Sequence, residues 1–489
     1  MNRKAISKRL LAIHGAVSLV FLLLISWSIW TGILSLYADL ARPWLRPDVA
    51  AAYDQPTASP SEVLRFVHAR NDGGPRWNMV APTPMRPFYV YAGPGAAGGK
   101  PVVLMVNPTT GLRDEWNNFA LDGLFRRIHT DLLLPKPWGR LAMGLTGTFI
   151  TILVGAGLFI HGKQFKEAWK WRRRSRILNL SESHKRIGLW LTPFLLVMAL
   201  TGAILGMKIA TVPIAMALAG ESRPAVPPRG IPEAPSPAAV GRLDACVTRA
   251  ADLLPRTRFA GVERNGDRLD IRFLRLNSLQ WSGEGGGSVE ARCDLADGRL
   301  TVVQRQPAGG AWGVIESALR PIHYARFGGV GVLTVYIVLS LLCLWVIDSG
   351  MKLLWLRDGN RVVSEESISE RLYHANNVLY VVLPLILLTG NLFFRTTPWL
   401  LMGITAAAVA IISLSGRRFV LSSRLARVVT AGCYVLLLVG RHVVGAATAS
   451  SPPTVITEVS LILMATWLLL LTRRQRAPHP VANLTGAGI

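Results

Sequence analysis

Two histidines stand at the mouths of long apolar runs, His14 in "AIHGAVSLVFLLLISWSIWTGILSL" and His184 in "SESHKRIGLWLTPFLLVMALTGAILGM". In both, a Thr-Gly pair follows the histidine by seventeen residues, Thr31-Gly32 and Thr201-Gly202. His129 in "FRRIHTDLLLPKPWGR" and His323 in "LRPIHYARFGG" introduce the next apolar runs with matching phrases. Ionisable side chains near membrane depth are costly without a partner, which makes them functional candidates. Two imidazoles at one level on neighbouring helices supply both axial nitrogens of an iron porphyrin, and the apolar macrocycle suits the surrounding Leu, Val and Phe. Pairing His14 with His184 and His129 with His323 predicts one such centre near each face. With ~1.5 Å of rise per residue and a ~30 Å hydrocarbon core, the irons would lie ~20 Å apart, a spacing compatible with electron hopping.

One interfacial histidine alone is as readily a headgroup contact or a helix cap; four in duplicated registers, two per face, favour ligation. The phrase "RLYHANNVLYVVLPLILLTGNLFF" looks like a partial third copy, with His374, Pro384 (compare Pro193) and Thr389-Gly390, but its His to Thr-Gly interval is two residues shorter. His374 is therefore a reserve ligand on the cytoplasmic side. His161, beside Gly162 and Lys163, is a second reserve whose simpler role is interfacial anchoring. His442, next to Arg441, reads as structural or as lining a polar pathway, whereas His68 and His479 are expected to face solvent. The Thr-Gly pairs predict close helix approach or clearance for a planar group. Trp138, Trp190 and Trp399 fit an interfacial aromatic belt.

The elements that must position these histidines are membrane helices. Of 489 residues, 51% are hydrophobic and only 17% charged, and several apolar runs approach twenty residues. That composition predicts a polytopic α-helical membrane protein. Eight spans are expected, at 15–37, 139–161, 186–208, 328–349, 376–394, 398–414, 426–446 and 454–472. The first follows a basic N-terminus, but it is longer than a signal h-region and no small-x-small cleavage site follows it, so it reads as a retained anchor. The basic segments "HGKQFKEAWKWRRRSRILNLSESHKR", "MKLLWLRDGNR", "SGRRFVLSSRLAR" and "LTRRQR" fall on the N-terminal side by span counting, which predicts cytoplasmic termini in a bacterial inner membrane. Much of the +25 net charge lies in these juxtamembrane loops, where anionic lipid and topology account for it without nucleic acid.

Two long segments lie on the opposite side. Each has a Pro- and Gly-rich entry, a helical stretch ("PSEVLRFVHAR"; "GRLDACVTRAADLL") and alternating strand-like runs ending in "NPTTG" or "LADG". They predict two small extracytoplasmic α+β domains. The expected organisation is an anchor helix (1–37), a first soluble domain (38–138), helices two and three with their basic loop (139–208), a second soluble domain (209–327), helix four (328–349), a cytoplasmic loop (350–375), helices five to eight (376–472) and a cytoplasmic tail (473–489). Cys246 and Cys293 share the second domain, on an oxidising side, and are disulfide candidates that spacing alone does not decide. Cys343 and Cys433 fall inside spans and read as small buried apolar residues. CxxC and CxxCH are absent, which argues against covalently attached c-type haem.

At these residues the sequence resembles the PepSY-associated transmembrane family, which includes iron-regulated inner-membrane proteins and di-haem ferric-siderophore reductases. The resemblance rests on "IHGAVSLVFLLLISWSIWTG", "RRIHTDLLLPKPWGRLAMGLTG", "ESHKRIGLWLTPFLLVMALTG" and "IHYARFGGVGVLTVYIVLSLLCLWVIDSGMKLLWLRDG", over roughly 1–360. It implies PepSY-like soluble domains, haem b as cofactor, and His14, His129, His184 and His323 as axial ligands. The implied reaction is reduction of a ferric siderophore or another periplasmic ferric acceptor. No GxGxxG follows a strand on the cytoplasmic side, so the donor is expected to be a quinol or a separate cytoplasmic reductase. The first span lacks the family's usual Trp-His or Arg-Trp opening, the second ends in "LFIHGKQF", and four spans extend beyond the shorter members. Rival readings are a membrane-anchored PepSY module that binds or restrains a periplasmic protease or envelope partner, and a siderophore or iron transporter.

Overall fold

The computed structural model describes residues 3–358 with breaks at 71–75, 94–101, 116–119, 162–175, 221–236, 276–287, 304–317 and a few single or paired positions, then parts of 368–379, and residues 423–444 and 452–473. The chain divides into two compact units, Met1–Leu353 with Thr448–Thr454, and Leu354–Ala447 with Val455–Ile489.

The first unit contains four helices long and apolar enough to cross a membrane. They are α1 (Arg3–Leu45), then, after three shorter α-helices, α5 (Trp138–His161) and α6 (Arg176–Gly206), and finally a helix at Gly329–Asp358. Their apolar spans cover Ala5–Leu36, Trp138–Ile160, Ile177–Gly206 and Gly331–Leu356. These match the first four expected spans, but α1 and α6 begin about ten residues earlier than the apolar runs suggested. Backbone hydrogen bonding does not stop where apolar composition stops, and His14 and His184 consequently sit within helices rather than at their mouths. Helices α5 and α6 meet through small residues: a Cβ on Gly206 would lie 2.6 Å from Gly144 Cα, and one on Gly147 2.8 Å from Ala199 O. Glycine is needed at that crossing because the backbones themselves touch.

The two soluble segments are not separate domains. The first supplies α3 (Pro60–His68) and strands β1 (Arg76–Val80), β2 (Tyr89–Gly93), β3 (Val102–Asn107) and β4 (Leu112–Glu115). After α7 (Lys208–Leu218), the second supplies α8 (Pro237–Leu253) and strands β5 (Thr257–Asn265), β6 (Arg268–Arg275), β7 (Ser288–Asp294) and β8 (Leu300–Val303). All eight join one antiparallel sheet in the order β4-β3-β2-β1-β5-β6-β7-β8. The halves meet where β1 pairs with β5, from Arg76 opposite Asn265 to Val80 opposite Gly261. The expectation of two domains is thus corrected to two half-sheets sharing one core.

Alternation along the strands sends Trp77, Met79, Tyr89, Tyr91, Leu104, Val262, Leu269, Ile271 and Phe273 to one face, where Val63, Leu64 and Val67 of α3 and Leu243, Cys246 and Ala250 of α8 cover them. Helix α3 starts with a capping box: Ser59 Oγ accepts from the Glu62 amide and Glu62 Oε2 from the Ser59 amide. It is tied to α8 where Asp244 accepts from the Ser61 amide at 2.9 Å and from the Ser61 hydroxyl. Cys246 of α8 is disulfide-bonded to Cys293 of β7, with Cα atoms 6.1 Å apart. On the other face, Val49 of α2 (Pro47–Ala50) packs with Phe88, Met105 and Leu112, joining the continuation of α1 to the first half-sheet.

We label the fourth spanning helix, Gly329–Asp358, α9. In the second unit, α10 (Ser423–Val444) and α11 (Pro452–Arg473) contain shorter apolar helices, Arg427–Val439 and Thr454–Leu470. They lie where spans seven and eight were expected, but their apolar helices are shorter than the four long enough to cross a membrane among the described residues. Expected spans five and six, 376–394 and 398–414, fall almost wholly outside the described residues.

Candidate functional site

Strand β4 leads to α4 (Ala120–Asp131), which carries His129, and the helical residues 318–323 after the second half-sheet carry His323. The two imidazoles face one another, with ring centroids 6.1 Å apart and planes within 23° of parallel. Each rests on the Thr-Gly pair of a spanning helix. His129 Nδ1 lies 3.0 Å from Ser28 O and 3.5 Å from Thr31 Oγ1 on α1, and a Cβ on Gly32 would stand 3.1 Å from its Cε1. His323 Nδ1 lies 2.8 Å from Thr201 Oγ1 on α6, and a Cβ on Gly202 would stand 3.1 Å from its Cε1. The Thr-Gly pairs are therefore seats for imidazole rings, not general clearance for a planar group.

These contacts fix the tautomers. Ser28 O can only accept, so His129 donates from Nδ1. Thr201 already donates its hydroxyl to Val197 O at 2.7 Å, so its oxygen accepts from His323 Nδ1. In both rings Nε2 is left with its lone pair. Burial pushes the His129 pKa down, against the opposing Ser28 bond. Burial, and then the neighbouring His129, pushes His323 down to about 3. Both shifts favour the neutral rings.

The end of α4 is locked close by. Asp131, only 6% exposed, accepts from Arg140 Nε at 3.0 Å, and Leu132 and Leu133 take left-handed backbone angles (φ 51° and 54°) that turn the chain directly into α5. Gly139 is required there, since a Cβ would fall 1.8 Å from Asp131 O.

On the far side of the helices the same device recurs. His14 Nδ1 lies 3.1 Å from Leu153 O on α5, and Gly157, one turn on, faces its Cε1. His184 Nδ1 lies 2.9 Å from Val346 O and 3.1 Å from Ser349 Oγ on α9, and a Cβ on Gly350 would stand 2.7 Å from its Cε1. The Ser349 hydroxyl donates to Val346 O at 2.8 Å, so both groups accept from His184 Nδ1. Carbonyl n with glycine n+4 thus seats His14, His129 and His184 alike. Around His184 the pairs Glu182–Arg186 (2.8 Å) and Asp348–Lys352 (2.7 Å) form a charged collar.

The structure brings His129 and His323 together. His14 and His184 occupy the other level, each docked on a different helix, and no ring contact joins them among the described residues. His161 ends α5, but its side chain, like His374 and His479, lies outside the described residues. His442 is paired with Glu458 across α10 and α11 at 3.5 Å. His68, expected in solvent, turns its Nε2 inward. The seats Gly157, Ser349 and Gly350 escaped the sequence reading, although "VIDSGMK" carried a signal, a Ser-Gly near the end of an apolar run.

A family model for the PepSY-associated transmembrane region matches residues 11–357. The chain belongs to that family. All four histidines and all four seats fall within the match. An uncharacterized protein of Pseudomonas aeruginosa strain PAO1 is 30% identical over 237 residues, 43% of this chain and 56% of the relative, so the aligned part spans about half of that relative's length.

The four seats also bear on what the family histidines could hold. Among the described residues no group of three or more His, Cys, Asp or Glu side chains gathers as a metal site. Two neutral imidazoles 6.1 Å apart, with Nδ1 of each already engaged, are close enough for both rings to serve one metal ion whose remaining ligands would come from a macrocycle.

Proposed function

We propose that this PepSY-associated membrane protein is a di-haem b oxidoreductase that moves electrons across the inner membrane to a periplasmic ferric acceptor, a ferric siderophore being the favoured substrate. The observation that carries the reading is the common docking of the four histidines: each commits Nδ1 to an acceptor on another helix, and the His129 and His323 rings stand 6.1 Å apart. Such partners orient an axial imidazole and raise its basicity.

His129 and His323 would hold one haem on the sheet side, and His14 and His184 the other. Haem b, when bound, supplies a one-electron ferric/ferrous couple. The chain's own residues do the rest. Ser28, Thr201, Leu153 and Val346 hold the Nδ1–H tautomers, and the glycine seats let the rings sit against helix backbone. The apolar helices exclude water between the two levels. His14 and Thr31 are seventeen residues apart on α1, as are His184 and Thr201 on α6, which separates the levels by ~25 Å along the helix. A quinol or a cytoplasmic reductase would be the donor. One-electron reduction of a ferric chelate to Fe(II) weakens hard-oxygen coordination and releases the metal for uptake.

The test is the visible spectrum of detergent-purified protein, oxidised and dithionite-reduced, with a pyridine haemochrome assay. Two haems b per chain, falling toward one in His129→Ala and in His323→Ala, are expected. Protein free of haem after expression with ample iron and haem precursor would sink the oxidoreductase reading and leave an anchored PepSY module.

A further inference from the structure

Arg264 is the largest fully buried side chain of the soluble layer, at 1% exposure. It stands on β5 directly opposite Trp77 of β1, at the joint of the half-sheets, and alternation with Val262 turns it under the helices. Among the described residues the carboxylate that pairs with it is Asp267, 4.0 Å from Nη2 and 83% exposed. An ion pair that solvated contributes little. Arg264 Nε and Nη1 are buried and meet no protein acceptor among the described residues, and the same holds for Trp77 Nε1 and His68 Nε2. His68, at the end of α3, is close enough to Arg264 for the guanidinium to depress its pKa, after burial, and the Trp77 and Tyr91 rings lie 6.4 Å apart beside them.

We propose that Arg264, Trp77 and His68 form a binding site for one small monovalent anion of halide size, which ties the two half-sheets together. A buried guanidinium without a counter-charge costs several kcal/mol. Water could accept the orphan N–H groups but would leave that charge uncompensated, whereas an anion answers both. The donors come from α3 and β1 of the first half and β5 of the second, so the ligand bridges the joint. The site is independent of the haem reading and can be tested in protein with or without haem.

The experiment compares thermal unfolding of the full chain in sodium bromide and in sodium gluconate at equal ionic strength, and records bromide anomalous diffraction from crystals. Wild type should melt at least about 3 °C higher in bromide and show an anomalous peak within hydrogen-bonding distance of Arg264 and Trp77. Arg264→Met should lose both. Trp77→Phe, which keeps the ring and removes one donor, should bind bromide about tenfold more weakly and covers the case in which Arg264→Met does not fold. Equal melting in the two salts, no anomalous peak at Arg264, a bromide response that persists in Arg264→Met, or bromide affinity undiminished in Trp77→Phe would overturn the site and leave ordered water there.

Discussion

The first and second copies of the repeat can be laid side by side, residue against residue. In the first, α1 leads to a half-sheet and returns through His129; in the second, α6 leads to a half-sheet and returns through His323. What is shared is a histidine and, seventeen residues on, a Thr-Gly pair that seats the histidine returning from the half-sheet. What differs is how each ring is held. Thr201 alone meets His323 Nδ1 at 2.8 Å, whereas Ser28 O takes that role for His129 and Thr31 stands off at 3.5 Å. Two residues past the ring, the first copy has Asp131 clamped by Arg140 and the second has Ala325, which turns the chain by its backbone alone (φ 54°). The Cys246–Cys293 bridge belongs to the second copy only. The outer face also diverges, with Val90, Met105 and Leu112 under Val49 in the first half-sheet, and Asp270 between Arg268 and Arg292 in the second. Duplication preserved the geometry at the imidazoles and left each copy to find its own reinforcement.

The comparison can be broken in several places. Replacing Cys246 and Cys293 by Ala opens a loop of separation 47 and should cost the sheet about 4 kcal/mol, read as a lowered unfolding midpoint; an unchanged midpoint would mean the second half needs no staple. In protein prepared without haem, acid should destabilise the sheet-side pair. The folded pKa values lie below that of an unfolded histidine, so the unfolded state binds more protons as pH drops through 6.5, and stability falls by up to about 1.4 kcal/mol per pH unit for each ring. His323→Ala should flatten that slope.

Arg140→Gln leaves Asp131 buried without its guanidinium and should cost about 2 kcal/mol, an effect that has no counterpart near Ala325. The seats separate the copies more finely. Thr201→Val should cost about 1–2 kcal/mol and loosen His323, while Thr31→Val, whose histidine keeps Ser28, should cost below about 0.5 kcal/mol. On the far side, Gly350→Ala should crowd His184 by about 1–3 kcal/mol, and Gly157→Ala, with 3.9 Å available, should be nearly silent. Equal effects in either pair would show that the copies hold their rings in the same way after all.

The membrane helices, the repeat and the partnership of His129 with His323 were legible in the sequence, because apolar length and a fixed interval along a helix are local signals. The joint between β1 and β5 was not, since nothing near Trp77 announces a strand nearly two hundred residues away. Nothing local singles out Arg264 for the same reason: its burial depends on that joint. The role of the Thr-Gly pairs was half legible. Small residues predicted close approach, but what approaches is an imidazole from a different helix.

Helix α1 carries His14 at one level and the Ser28–Gly32 seat of His129 at the other, and α6 does the same for His184 and His323. Each of these helices therefore contributes to both levels, ~25 Å apart along its axis. A tilt or axial slip of the whole helix would shift a histidine at one level and a seat at the other together, and on α6 the proline between them, Pro193, is where the two levels could come apart.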